Sequence, residues 1–172
     1  MIEAGADLNA KDADCMTALM YASMKGCTEI VRLLLSAGAE VDAKEDYGWT
    51  ALLFAANYGY PEIVQLLLQA GADVGAREGE GGFTVLMQAR NQAETVRIIV
   101  NAGAEVDARD EQGYTALMLA AMDGEIDKIQ ILLDAGAEVN ARNDDGETAF
   151  MIAEEEGCSR IAEILKKAGA TK

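Results

Sequence analysis

Thirty Asp and Glu residues, three Cys and no His set the chemistry open to this chain. Without an imidazole there is no Ser-His-Asp or Cys-His nucleophile, no histidine acid–base catalyst and no His-ligated metal. The carboxylates are the remaining candidates. Asn143-Asp144-Asp145-Gly146 has the look of a calcium loop. With Gly146 as loop position 6, however, the first and last ligand positions fall on Ala141 and Ile152, and neither side chain can bind a cation. Gly79-Glu80-Gly81-Gly82 lacks the closing Gly-Lys-Ser/Thr of a phosphate loop and carries an acid where a phosphate would sit. Glu154-Glu155-Glu156 reads as a solvated face. The other paired acids fall on turns expected to be solvated, where nothing splits their pKa values into an acid and a base. The expectation is a non-enzyme with no catalytic residue, no cofactor and no metal.

The excess of acid selects against some partners. The net charge is −16, which repels nucleic acid phosphates and anionic membrane surfaces alike. Cys15, Cys27 and Cys158 are an odd set without Cys-x-x-Cys spacing, so they read as thiols of a reducing compartment. The first residues have neither the basic nor the apolar region of a secretion signal. The richest apolar run, Ile30 to Ala39, is broken by Arg32 and Ser36 and is too short to span a bilayer. The expected location is intracellular and cytoplasmic, without excluding the nucleus.

Large side chains remain as the candidates for recognition. Met16, Trp49, Phe83 and Tyr114 each stand directly before a Thr, with Glu147 in the fifth such place. Those Thr residues, 17, 50, 84, 115 and 148, keep step with Gly-Ala pairs at Gly5, Gly38, Gly71, Gly103, Gly136 and Gly169, spaced 33, 33, 32, 33 and 33. A period of this length signals a repeat array, so the candidates are positioned by one element used five times. In each unit the Thr N-caps a short helix rich in Ala. Gly26, Gly59, Gly124 and Gly157 end that helix. A second helix carries an apolar face such as Ile30, Val31, Leu34 and Leu35, and Pro61 suits its first position. A polar link with a turn glycine leads back to the next Thr.

Thr50-Ala51-Leu52-Leu53-Phe54-Ala55-Ala56, Gly59, Ile63-Val64, Leu67-Leu68 and Gly71-Ala72 resemble the ankyrin repeat, and the likeness covers essentially the whole chain. The resemblance implies an all-α solenoid of helix–turn–helix units with projecting β-turn fingers. It places variable, ligand-facing positions before each Thr, at the finger tips and on the inner helices. Here those positions include Met16, Asp46, Tyr47, Trp49, Tyr58, Glu80, Phe83, Glu111, Tyr114, Met122, Asp123 and Asp144. Two departures are systematic: Ala or Val replaces the family's Pro, and Met or Leu replaces its His. Met is then expected to act as a pliable apolar filler. Cys15 replaces a finger glycine, which puts that turn's geometry in question.

The expected division is a partial repeat at 1–10, repeats at 11–43, 44–76, 77–108 and 109–141, and a C-terminal cap at 142–172. The third repeat has a link one residue longer and is two residues short between its helices, with Asn91 in the glycine's place. The functional expectation is a non-enzymatic module, monomeric alone, that binds a basic protein through an aromatic strip rimmed by finger acids. Two rivals stand beside it: a designed ankyrin scaffold, and the targeting part of a larger enzyme. The convex side around Arg32, Gln65, Arg97 and Lys128 is the alternative surface.

Overall fold

A computed structural model of the chain describes residues 7–89 and 92–171. Gly5, with the rest of residues 1–6, and Asn91 lie outside the described residues. The helices come in pairs: α1 (Ala18–Met24) with α2 (Thr28–Ser36), α3 (Ala51–Asn57) with α4 (Pro61–Gln69), α5 (Val85–Gln88) with α6 (Ala93–Asn101), α7 (Ala116–Met122) with α8 (Ile126–Asp134), and α9 (Ala149–Glu155) with α10 (Ser159–Lys167). The described residues contain no strand, only an isolated antiparallel bridge between Arg77 and Thr84.

Each first helix begins where its Thr turns from extended backbone into the helix. The five hydroxyls accept from the backbone N–H of Met20, Leu53, Met87, Met118 and Met151 at 3.2–3.4 Å. Methionine does more than fill space here. Met20 and Met87 Sδ each accept the backbone N–H of their own Thr at 3.4 Å, which closes a reciprocal cap. The thioether thus acts as a hydrogen-bond acceptor at the cap, beyond the apolar filler expected of it.

First helices stack in the order α1, α3, α5, α7, α9, and second helices stack as α2, α4, α6, α8. The small residues on the first helices make the close approach feasible: Ala55, Ala56, Ala120 and Ala121 are fully buried. The second helices turn Val31, Ile63, Val64, Val96, Ile129 and Ile161 into the same continuous core.

Between the units, an Asx side chain in one exit loop accepts a backbone N–H from the next. Asn9 Oδ1 receives Glu40 N, Asp42 Oδ1 receives Asp73 N, Asp107 Oδ1 receives Glu138 N and Asn140 Oδ1 receives Thr171 N, at 2.8–3.0 Å. Gly75 occupies the equivalent place ahead of the third unit and has no side chain to offer.

The third unit is irregular in two further ways. Its first helix has four residues where the other first helices have seven. Thr95 stands where α4 has Ile63, and its buried Oγ1 has no hydrogen-bond partner among the described residues. Among the described residues no helix is long and apolar enough to cross a membrane.

Candidate functional site

The fingers are built on a side chain that the sequence reading assigned to solvent. In each link the residue after the first basic one turns back into its own loop. Asp12 Oδ1 accepts Asp14 N and Met16 N, and Glu45 Oε1 accepts Tyr47 N and Trp49 N. Asp110 Oδ1 accepts Gln112 N and Tyr114 N, and Asn143 Oδ1 accepts Asp145 N and Glu147 N. In the longer third link Glu78 accepts from Glu80, Gly81 and Phe83. Glu78, Asp110 and Asn143 are buried, so these groups shape the turn instead of meeting water. Burial alone pushes the Glu78 carboxyl up, but the surrounding backbone N–H donors outweigh it and hold the group below its ordinary range.

A basic ladder runs beside them. Lys11 Nζ donates to the Lys44 carbonyl, Arg77 to that of Arg109, and Arg109 to that of Arg142. Neighbouring tips also pair through backbone: Gly79 N donates to Tyr47 O, Glu111 N to Gly81 O and Asp144 N to Gln112 O. Cys15 takes φ 59, close to the 81, 73, 80 and 81 of Gly48, Gly82, Gly113 and Gly146, so the first turn keeps the shape of the others at a backbone angle that disfavours a side chain. Its thiol is pushed up, first by a hydrogen bond with Asp46.

On this frame the predicted residues divide into two tiers. Asp46, Tyr47, Glu80, Glu111 and Asp144 are exposed at the tips, and Tyr58, Met122 and Asp123 are exposed at the ends of the inner helices. Met16, Trp49, Phe83 and Tyr114 form the lower tier, half-buried against the core. The row before each Thr is therefore partly a packing feature. Trp49 lies 5.0 Å from Phe54, ring centre to ring centre, and no ring contact joins Trp49 to Phe83 or Phe83 to Tyr114. Tyr58 is 51% exposed and stacks on Tyr60 at 6.5 Å. Asp144 pairs with Arg109 at 3.1 Å, which offsets some of its charge.

The sequence reading missed Tyr21, 42% exposed on α1, whose hydroxyl donates to Asp12 Oδ2 at 2.6 Å. It also missed the finger-base acids and the basic ladder. Their signal was in the repeat register all along: Lys11, Lys44, Arg77, Arg109 and Arg142, each followed by an Asp, Glu or Asn. On the convex side, Arg32 bridges to Glu62 at 3.0 Å, whereas Lys128 is 3% exposed and contributes nothing to a surface there. The described residues hold no gathering of three or more His, Cys, Asp or Glu side chains suited to a metal ion.

Stacked helix pairs, projecting turns and a row of side chains repeated at one register define a repeat solenoid that presents an extended face. The family description "Ankyrin repeats (3 copies)" matches residues 1–78 and 83–172, and the chain belongs to the ankyrin-repeat family. Proteins of this family are generally protein–protein interaction modules and typically not enzymes. A search of curated proteins returns no match.

Proposed function

We propose that this chain binds a basic protein segment, rich in Arg, on the finger and inner-helix side of the array. The observation that carries the reading is the placement of Tyr47 and Tyr58, 58% and 51% exposed, on the same unit as the exposed acid Asp46. Two exposed phenol rings on one unit beside a carboxylate offer the amphipathic contact area that interfaces favour, and aromatic side chains dominate the energetics of interface cores. Guanidinium groups stack on such rings and pair with carboxylates beside them. Trp49, Phe83 and Tyr114 form the floor of this strip, and Met122 and Asp123 extend it toward the C-terminal units. Asp46, Glu80, Glu111 and Asp144 supply a field that draws a basic partner and repels phosphates. The chain acts alone, as a monomer without cofactor.

The test is an affinity comparison on a partner captured with the wild-type chain. Tyr47→Ala with Tyr58→Ala is the decisive variant, because neither ring is needed for the core. A loss of about thirtyfold or more in affinity is expected, mostly in dissociation rate. Charge reversal at Glu111 and Asp144 slows association and flattens its salt response, since exposed charges act over about 10 Å in 0.1 M salt. Affinity unchanged by both variants moves the site elsewhere.

A further inference from the structure

In a linear stack an end unit has one neighbour and a central unit has two, so the centre of such an array should be the last part to open. The third unit is built against that order. Two backbone bonds close α5, from Gln88 N to Thr84 O and from Ala89 N to Val85 O. Its four residues make about one turn, where the seven of α3 and of α7 make about two. Gly75 cannot bridge the exit loops of the second and third units. Among the described residues nothing accepts the N–H of Glu105, which stands in the register of Glu40, Asp73, Glu138 and Thr171. Thr95 seals a hydroxyl without a partner among the described residues into the core, where α4 has the apolar Ile63. The tie from the fourth unit to α5 includes a polar reach, from Lys128 to the Met87 carbonyl.

The weakness is one-sided. α6 packs on α4 and on α8 as α4 packs on α2, so the second helices form an unbroken stack through the third unit. The interruption lies on the side of the first helices. It separates the second unit, which carries Tyr47 and Tyr58, from the fourth, which carries Tyr114 and Met122.

We propose that the third unit is a joint in the middle of the array. α5 opens while the helices on either side stay folded, the second helices serve as the hinge line, and the gap widens toward the first helices. The first two units and the last two then move as blocks. A ligand that touches both blocks holds the joint closed, and a ligand on one block leaves it free. The opening is a property of the free chain and does not depend on which residues meet a partner.

NMR hydrogen exchange on the free chain tests this through one bond that every unit repeats. Tyr21, Phe54, Gln88, Leu119 and Ile152 each donate their N–H to the carbonyl of the capping Thr. The protection factor of Gln88 is expected to be at least about tenfold below those of Phe54 and Leu119, which marks a local opening at the centre. The repair variant combines Gly75→Asp with Thr95→Val. Gly75 does not take a positive φ, and a Cβ there meets the movable end of the Asp73 side chain, so an Asp fits. The repair should raise Gln88 protection at least about tenfold and leave Tyr21 and Ile152, in the end units, within about threefold. Equal protection of Gln88, Phe54 and Leu119 in the parent chain overturns the proposal. So does a repair that raises all five amides together, because the array then opens as one block. A repair that leaves Gln88 unmoved also overturns it, since fraying of a single turn would ignore a change in the exit loop of the second unit.

Discussion

Lys128 Nζ donates to the backbone carbonyl of Met87, 3.2 Å away, and so joins the fourth unit to the shortened helix of the third. The same ammonium lies 3.5 Å from Glu125 Oε2, and both side chains are 4% exposed. Ile63 and Ile161 hold the equivalent place in other units. Where α5 stops at Gln88 after a single turn, a long side chain reaches the helix that an isoleucine cannot. The buried charge belongs to the repair of the irregular unit.

This relationship makes Lys128 the most sensitive polar residue of the array. Removing one member of a buried ion pair takes a compensating charge from the other in a dry site, at a cost of about 3–5 kcal/mol. Lys128→Ile alone is expected to lose stability on that scale in urea unfolding, although Ile stands at the equivalent positions 30, 63 and 161. Adding Glu125→Gln should recover part of the loss. A neutral Lys128→Ile would show that the pair and the Met87 contact do not support the third unit.

Thr50→Ala and Thr115→Ala each remove a hydroxyl that caps a first helix, with expected losses of roughly 0.5–2 kcal/mol. Thr84→Ala should cost at least as much, because α5 has only four residues to hold its shape. Chemical denaturation of the three variants provides the check, and losses below about 0.2 kcal/mol at all three sites would show that the hydroxyls are idle.

Two finger contacts give the chain an acid and an alkaline flank. The Tyr21 hydroxyl, followed by the Met16 N–H, holds Asp12 below its ordinary value of 3.8, and the N–H cage holds Glu78 below 4.5. A carboxyl depressed on folding stabilises the fold above its unfolded pKa and loses that contribution as pH falls through its folded one. The Asp12 hydrogen bond raises Tyr21 above 10.0, so the phenol's contribution is complete below that value and is lost as pH rises through the folded pKa. NMR titration should find the Asp12 carboxyl moving toward 3.8 in Tyr21→Phe, and the acid limb of the stability curve should flatten in Glu78→Gln. An Asp12 titration unmoved by Tyr21→Phe would mean that the contact does not form in solution.

How far the site could be read from residues alone depended on what each residue does twice. The tips Asp46, Tyr47, Glu80, Glu111 and Asp144 were legible because a repeat register sends equivalent residues to equivalent places. The row of Met16, Trp49, Phe83 and Tyr114 was legible as a row but not as half-buried, since an amphipathic ring before a helix cap can face either way. Glu45 and Asp46 are neighbours of the same charge class, yet one folds into its own turn and the other meets water. Only the path of the backbone separates them.

The solenoid, the Thr caps, the glycine turns and the acid field were legible in the residues alone, because each follows from local geometry repeated at a period near 33. Tertiary structure decided which side chains are spent on packing. Lys128 looked like a surface cation, and the stacking of α8 against α6 buried it. Ile30 looked like Ile63, and the lack of a preceding helix pair among the described residues left it half in water. A local pattern sets the direction of a side chain along its own helix. The neighbouring helix determines whether that direction leads to solvent or to core.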